Sequence, residues 1–359
     1  MEVVAFFVFK NRHLLKKLGE LFMKNKGIIG SIIALAVVLI GVFAYQMGSR
    51  QNNTEAGQKE EMKTVGILQF ISHPSLDQIS DGVIEGLKQE GYEDGKNINI
   101  EFLNGQGDQS KLNTMTQQLL NKNSDVLVGV ATPAAKALAN GTSDIPVIMG
   151  AISDPIGSGL VDSLEKPGGN VTGVNNLAPV GQQFELIKAL FPEAKKIALL
   201  YSSSEENSQS QIDKAEEMAK KEGYEATRYA VSSSNEIAQL AQSAAAENDF
   251  IYVPQDNIIA NAFQTVINES DKTKTPVFVS VDNMVNEGGI ATIGQNQFDL
   301  GVETGKMAAD VLNGNTDAGN TPVNVIDYGE MIINEKKAAE LGITIPEDIK
   351  KEAKLVEGE

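Results

Sequence analysis

The feature that most constrains the fold of this chain is a repeated alternation of short apolar runs with amphipathic stretches. The runs "TVGILQF" (64–70) and "SDVLVGV" (124–130) have the length and composition of buried strands. The stretch "SLDQISDGVIEGLKQEGY" (75–92) places its apolar residues at helical spacing. Strands and helices that alternate in this order form a parallel sheet wrapped by helices. The first half of the chain is therefore predicted to be α/β.

The same alternation restarts further along the chain with "KKIALLYS" (195–202), "DFIYVP" (249–254) and "TPVFVS" (275–280). In both halves the first helix is followed by Gly-Tyr, at positions 91–92 and 223–224. We therefore predict two similar, doubly wound, Rossmann-like lobes that are joined by a hinge. Ligands of such folds bind at the carboxyl ends of the strands, which here would face a cleft between the lobes.

The sequence after residue 281 contains another strand, "GGIATIG" (288–294), and a helix, and both need a sheet to pack on. Lobe 1 is the expected host if the chain crosses back to it. On this basis lobe 1 comprises 63–178 and 282–324, and lobe 2 comprises 179–281 and 325–359. Residues 53–62 are a linker.

The first 52 residues are predicted to hold a cytoplasmic tail, a membrane segment and the start of the linker. Residues 27–45, "GIIGSIIALAVVLIGVFAY", are uncharged and close to the roughly 20 residues that span a bilayer. Basic residues precede this segment, which orients the tail towards the cytoplasm and the body outside the cell. The segment is either a retained anchor, which its length favours, or a signal peptide cleaved after Ala44.

Composition excludes several function classes. The formal net charge is −18, so binding to nucleic acid is disfavoured. There is no cysteine, and the body contains a single histidine, His73, which leaves little for thiol, metal or general-base chemistry. Neither a nucleophile elbow nor a phosphate-binding glycine loop is present. We therefore expect no enzymatic activity, no cofactor and no metal.

Polar side chains instead follow the predicted strands, at the edge where a ligand would bind. Helix N-termini and hydroxyl groups suit a carboxylate, and aspartates suit an ammonium group, so the set favours a small zwitterion. Each member also has a local explanation as a helix cap or turn residue. The candidate ligand-binding residues are Phe70, Ser72, His73, Thr132, Pro133, Asp154, Asn175, Asn207, Ser208, Asp256 and Asp282.

An ordered series of phrases across residues 63–340 resembles one known family. The phrases are "VGILQFISHPSLD", "NGQGDQS", "ATPAAKAL", "IPVIMGAISDPIGSGLV", "GGNVTGV", "NSQSQ" and "VPQDNII". Together they are similar to ABC-transporter substrate-binding proteins of the tryptophan-binding, TrpX-like kind. The resemblance implies the type I periplasmic-binding-protein architecture. It also implies capture of an aromatic amino acid, tryptophan first, and delivery to a permease driven by an ATPase.

The resemblance also implies roles for the candidate residues. Thr132 and Pro133 would hold the ligand carboxylate, with Ser72 and Asp154 nearby. Asn207, Ser208 and Asp256 would close over the ligand from lobe 2, and Asp282 would meet the ammonium group near the hinge. The side chains of Phe70 and His73 would flank an aromatic ring, and Asn175 lies at the end of a neighbouring strand.

Two features depart from many relatives. No lipid-accepting cysteine follows the apolar segment, so the helix itself is the expected tether of a monomeric body. The stretch "YSSSEENS" (201–208) replaces an asparagine-proline-glycine turn, which could change ligand preference. A membrane-anchored sensor domain of the same fold, or a binding protein for another small solute, stays open as an alternative.

Overall fold

The computed structural model describes residues 62–326 and 328–358. The strands of this part are β1 (Lys63–Gln69), β2 (Ile98–Asn104), β3 (Val126–Val130), β4 (Val147–Ile152), β5 (Val171–Asn176), β6 (Lys196–Ser202), β7 (Glu225–Val231), β8 (Phe250–Val253), β9 (Val277–Val279), β10 (Ala291–Gly294), β11 (Asn324–Ile326), β12 (Glu330–Asn334) and β13 (Lys354–Val356). The helices are α1 (Pro74–Gln89), α2 (Gln109–Asn121), α3 (Thr132–Gly141), α4 (Val180–Leu190), α5 (Glu206–Glu222), α6 (Ile237–Glu247), α7 (Asn257–Asn261), α8 (Phe263–Asp271), α9 (Asp282–Asn286), α10 (Gln297–Leu312), α11 (Glu335–Glu340) and α12 (Glu347–Glu352).

Lobe 1 is built on a six-stranded parallel sheet in the order β11-β5-β4-β3-β1-β2. Strands β1 and β3 are apolar along nearly their whole length because helices cover both faces of the sheet. Every residue of β3 is buried. The predicted α/β fold with parallel sheets is thus confirmed for this lobe.

Helix α10 packs against α1 on lobe 1 through a contact made by four glycines. Gly82 and Gly86 on α1 face Gly301 and Gly305 on α10, and a Cβ atom at any of the four would overlap a backbone carbonyl of the opposite helix. Glycine at these positions lets the two backbones approach more closely than side chains allow. The late helix α10 is therefore fixed to the earliest helix of the body.

Lobe 2 contains a four-stranded parallel sheet in the order β7-β6-β8-β9 and a smaller sheet in the order β10-β12-β13. Ile290 N donates a hydrogen bond to Val277 O at 2.8 Å, which brings the smaller sheet alongside β9. The rings of Phe184, Tyr252, Phe250 and Phe278 pack in the core beneath these strands.

The structure corrects the predicted host of the segment 282–294. Strand β10 pairs antiparallel with β12, and the side chains of Ala291 and Ile293 enter the core of lobe 2. Met284 and Val285 of α9 also pack into lobe 2. The assignment of residues 282–294 to lobe 1 is therefore wrong, because the apolar side chains of both elements face the lobe 2 sheets. The end of the second lobe 1 segment is corrected as well. Residues 325–326 were predicted to belong to lobe 2, but they are part of β11, which pairs with β5 of lobe 1.

The chain crosses between the lobes after β5, between β10 and α10, and between β11 and β12. Gln295 lies on the second of these crossings. Its Nε2 donates to Leu177 O on the first crossing at 3.0 Å and to Ile326 O beside the third at 3.2 Å. One side chain thus connects the segments that form the hinge.

The predicted membrane segment, 27–45, lies outside the described residues, as do the tail and most of the linker. Within residues 62–326 and 328–358 no helix combines the length and apolar character needed to cross a bilayer.

Candidate ligand-binding cleft

A cavity lies between the two lobes at the carboxyl ends of their strands. The space between its walls, including the open mouth, is about 450 Å³. Lobe 1 supplies the starts of α1 and α3 and the end of β4, and lobe 2 supplies the starts of α5 and α7. The lining residues are His73, Ser75, Leu76, Ile79, Ala131, Thr132, Ala151, Ser153, Asn176, Asn207, Gln255, Asp256, Asn257, Ala260, Val281 and Gln297.

The lobe 1 wall presents two helix N-termini without side-chain caps. Neither His73, before α1, nor Ala131, before α3, caps its helix with a side-chain hydrogen bond. The hydroxyl-bearing residues Ser75 and Thr132 lie in the first turns of these helices and line the cavity. Free backbone N–H groups and the helix dipole favour an anion at such positions. This wall suits a carboxylate.

Backbone strain is concentrated on the same wall. Ala131 and Ala151, at the ends of β3 and β4, both have positive φ, 76° and 58°, and both line the cavity. A non-glycine residue in such a conformation costs of the order of 1–3 kcal/mol and often marks a functional site.

The lobe 2 wall is acidic and rich in hydrogen-bond acceptors. Asp256, which is 2% exposed, caps α7 by accepting from Ile259 N at 2.8 Å and also accepts from Ser202 N at 2.5 Å. Behind it, Glu205 is buried and accepts from Asn257 Nδ2 at 2.5 Å and from Ile258 N at 2.8 Å. This wall suits an ammonium group.

Burial perturbs the ionisation of the two acids. Loss of hydration, together with the neighbouring charge of Asp256, raises the pKa of Glu205 to about 8. Burial likewise raises the pKa of Asp256, against the opposing effect of the hydrogen bonds from the backbone of Ile259 and Ser202. With both pKa values raised, the pair retains a proton near neutral pH.

His73 contacts the opposite lobe. Burial lowers the pKa of His73 to about 4, so the imidazole is neutral at physiological pH. Its Nε2 lies 3.4 Å from Asn257 Oδ1, which is an acceptor because Asn257 Nδ2 donates to Glu205. The proton of the ring is thereby placed on Nε2, and the buried Nδ1, which has no hydrogen-bond partner among the described residues, is left as an acceptor.

Further contacts join the lobes around the mouth of the cleft. Ser210 Oγ donates to Asp154 Oδ2 at 2.7 Å, and Gln109 Nε2 donates to Ser204 O at 2.9 Å. On the hinge side, Gln255 Nε2 donates to Asn176 Oδ1 at 3.0 Å. These bonds require both lobes to be close together, so the structure describes a closed arrangement.

The structure brings part of the predicted set to the cavity. His73, Thr132, Asn207 and Asp256 line it. Pro133 lines a neighbouring pocket of about 640 Å³ at the mouth, measured in the same way, together with Thr132 and Asn207. Asp154 lies at the mouth as well, where its carboxylate accepts from Ser210 and from Gly157 N at 2.9 Å.

The other five predicted residues line neither the cavity nor the two neighbouring pockets at its mouth. The side chain of Phe70 lies in the hydrophobic core of lobe 1, so its predicted place beside a ligand ring is wrong. Ser72 is exposed and donates to Asp77, and Asn175 Nδ2 donates to Ile152 O. Ser208 is fully buried behind Asn207. Asp282 Oδ1 accepts from Asn283 N, and burial raises the pKa of Asp282 to about 6.

Several wall residues were not predicted. Gln255 and Asn257 flank the predicted Asp256, while Asn176 and Gln297 come from the hinge. The first pair is signalled by its position at the end of β8, which the argument from strand ends covers. Gln297 carries no such signal because its place depends on how α10 returns to lobe 1. Within the described residues no group of three or more His, Asp or Glu side chains is arranged to hold a metal ion.

Comparison with known proteins gives this geometry a family context. The chain matches the family described as ABC transporter substrate binding protein over residues 64–357. It is 38% identical over 316 residues to the tyrosine-binding protein of Clostridioides difficile strain R20291, which covers 87% of this chain and 91% of that protein.

Two solved structures are also similar. An ABC domain from Streptococcus pneumonia in complex with L-Trp has 50% identity and a TM-score of 0.80, covering 82% of this chain and 99% of that chain. A substrate-binding protein with adhesive properties from Clostridium difficile, in its ligand-free, open form, has 35% identity and a TM-score of 0.64, covering 83% and 100%. The arrangement of lobes described above therefore superposes better on the L-Trp complex than on the open form.

Proposed function

The chain belongs to the ABC transporter substrate-binding protein family, and from that premise we propose that its cleft captures an aromatic α-amino acid by closure of the two lobes. It is a substrate-binding protein and not an enzyme. The proposed ligands are tryptophan and tyrosine, since these are the amino acids named for its relatives.

The opposite polarity of the two cavity walls carries the proposal. Lobe 1 presents uncapped helix N-termini with Ser75 and Thr132, which favour a carboxylate. Lobe 2 presents Asp256 and Asn207, whose Oδ1 has no hydrogen-bond partner among the described residues, and both favour an ammonium group. A zwitterion that spans the cleft would contact both walls at once. Such a ligand favours the closed arrangement because it binds that arrangement better than the open one.

The cavity also has an apolar surface that an aromatic side chain of the ligand could contact. Leu76 and Ile79 of lobe 1 and Ala260 and Val281 of lobe 2 contribute aliphatic wall. A buried aromatic ring removes a large apolar area from water, worth roughly 25 cal/mol per Å² before the costs of binding. This wall supports an aromatic ligand over a small polar amino acid.

We further propose that the loaded, closed protein delivers its ligand to a membrane permease powered by an ATPase. The body would act as a monomer on the outer side of the membrane, tethered by residues 27–45. The basic residues before that segment support this orientation. Delivery fits the family, in which binding proteins serve ABC transporters.

Calorimetric titration of the purified protein tests the proposal. The protein is unfolded and refolded to remove bound ligand, and is then titrated with tryptophan, tyrosine, phenylalanine and leucine. We expect sub-micromolar binding of tryptophan or tyrosine and much weaker binding of leucine.

Thr132→Val is the matched variant, because it removes the hydroxyl group and retains the side-chain volume. We expect it to weaken binding by roughly 1 kcal/mol, about fivefold, without changing the melting temperature of the ligand-free protein. If none of the four amino acids binds, the ligand assignment is wrong although the fold and family remain.

A further inference from the structure

The buried carboxyl pair at the back of lobe 2 has no cationic partner. Glu205 and Asp256 lie within hydrogen-bonding reach of each other, and the chain buries both almost completely. Among residues 62–326 and 328–358 neither carboxyl group forms an ion pair with a lysine or arginine. Burying an unpaired charge is costly, and a pair of acids without a cation keeps a proton instead.

Glu205 also orients the amide groups that face the cleft. One of its carboxyl oxygens, Oε2, accepts from Asn257 Nδ2 at 2.5 Å and from Asn207 Nδ2 at 3.4 Å. Asn207 Nδ2 additionally donates to Gln255 O at 3.0 Å. Because both NH₂ groups point towards Glu205, the buried Oδ1 atom of Asn207, a residue of the cavity wall, has no hydrogen-bond partner in the part of the chain that the structure describes.

The same orientation extends to the other lobe. Asn257 Oδ1 faces His73 Nε2, so the buried Nδ1 of His73, another residue of the cavity wall, is a second acceptor without a partner within residues 62–326 and 328–358. Two residues of the cavity wall therefore carry a buried acceptor with no donor partner among the described residues, next to an acid pair with no lysine or arginine partner. An ammonium group on the ligand would provide both missing partners. Its three N–H groups would donate to the acceptors, and its positive charge would balance the acid pair.

We propose that Glu205, which does not line the cavity, is the positioning residue that makes the ligand's ammonium group obligatory, and that ligand binding releases one proton from the Glu205–Asp256 pair to solvent. This inference rests on the proposed function, since it assigns the ammonium end of the same ligand. The ammonium group replaces the proton as the positive charge that balances the pair.

The surrounding charges agree with this exchange. Asp256, from the cap of α7, is the acid that faces Glu205, and its charge raises the pKa of Glu205, which burial has already raised, to about 8. His73, reached through Asn257 from the start of α1, is neutral because burial lowers its pKa to about 4. On α5, the next residue, Glu206, forms an ion pair with Lys136 of lobe 1 at the mouth. A bound ammonium group would lower the pKa of the pair and so expel its proton near neutral pH.

The experiment is calorimetric titration of the refolded protein with L-tryptophan at pH 7.0 in buffers of different ionisation enthalpy. The dependence of the observed heat on the buffer gives the number of protons released. We expect a value close to one per ligand, and an affinity that rises about tenfold per pH unit between pH 6.5 and 7.5. Indole-3-propionate, which is tryptophan without the amino group, is expected not to bind.

Variants separate the role of Glu205 from a general loss of structure. Glu205→Gln should weaken tryptophan binding at least tenfold and abolish proton release, because its amide NH₂ turns the two asparagine side chains around. Glu193→Gln, an exposed change on the same lobe, should behave as the unmodified protein. If Glu205→Gln does not fold, the number of protons released and the pH dependence of affinity in the unmodified protein still test whether ligand binding releases a proton.

The outcomes distinguish the two proposals. Failure of every aromatic amino acid to bind the unmodified protein contradicts the proposed function. Tight tryptophan binding without proton release, tight binding of indole-3-propionate, or unchanged binding by Glu205→Gln overturns the role of Glu205 alone.

Discussion

At the scale of single residues, Ala131 has a strained backbone at the point where β3 ends and helix α3 begins, and it lines the cavity. Its φ of 76° and ψ of 152° are conformations that glycine adopts and alanine avoids. Ala131→Gly should therefore raise the free energy of unfolding by about 1 kcal/mol. Chemical denaturation measures this change. Ala139→Gly, within the regular part of the same helix, should instead lower it by about 1 kcal/mol, and equal losses for both variants would contradict the strain.

The buried acid Glu205 should also control how stability depends on pH. Its pKa is raised to about 8 in the folded protein, so the folded state binds this proton more tightly than the unfolded state does. Stability from this group is then greatest below the unfolded pKa and falls as pH rises to about 8, by up to about 1.4 kcal/mol per pH unit.

The pH range in which the effect of Glu205 on stability can be measured depends on the other buried ionisable groups. The lowered pKa of His73, about 4, makes stability rise between about pH 4 and 6.5, opposite in sign to Glu205. Asp282, with a pKa raised to about 6, acts in the same direction as Glu205 but mostly below pH 7. We therefore expect the melting temperature of the ligand-free protein to fall from pH 6.5 to 8.5, and Glu205→Gln to flatten that slope. An equal slope in both proteins would contradict the assignment.

Sequence reasoning found the residues that sit directly at strand ends. Thr132 and Asp256 follow buried strands, and parallel strands bring their carboxyl ends to one edge. It could not find Glu205, because the role of that side chain depends on burial and on amides that lie 2 and 52 positions away. It misplaced Phe70 because an aromatic residue at the end of a strand can turn to the core or to the cleft, and the pattern does not decide between them.

At the scale of elements, the contact between α1 and α10 holds a late helix on lobe 1. Gly301→Ala should be strongly destabilising, because its Cβ would overlap Ile79 O on α1 and the backbone there cannot easily move. We expect a loss of about 1–3 kcal/mol in the free energy of unfolding. Gly169→Ala, where a Cβ would meet nothing within 4 Å, is the matched control and should change little. Similar stability of both variants would show that the helices can separate at small cost.

The elements themselves were predictable from their periodicity, whereas the pairing of the late strand was not. The run "GGIATIG" indicates a strand, but its sheet partner depends on which face of the returning chain is apolar. Ile293 and Ile333 meet in the core of lobe 2, where β10 pairs with β12. Pairing between strands that are distant in sequence leaves no local signal. The predicted boundary between the lobes was therefore misplaced, with residues 282–294 assigned to lobe 1 instead of lobe 2.

At the scale of the whole molecule, contacts outside the cavity contribute to closure. Ser210 Oγ of lobe 2 donates to Asp154 of lobe 1, away from the cavity wall. Ser210→Ala should weaken ligand binding by roughly 0.5–1.5 kcal/mol, about two- to tenfold, mainly through faster dissociation. Stopped-flow kinetics checks this, and Ser233→Ala, an exposed change on lobe 2, is the control. Unchanged dissociation of the Ser210 variant would show that this bond does not hold the closed state.

The central claim is that an aromatic amino acid closes the two lobes, and the absence of native cysteine allows a direct test. Spin labels at Asn113→Cys of lobe 1 and Lys214→Cys of lobe 2, both exposed, report the distance across the mouth of the cleft by pulsed electron paramagnetic resonance. We predict a broad, longer distance in the refolded, ligand-free protein and a shorter, narrow one when tryptophan or tyrosine is added. A distance distribution that does not change with either amino acid would contradict capture by closure.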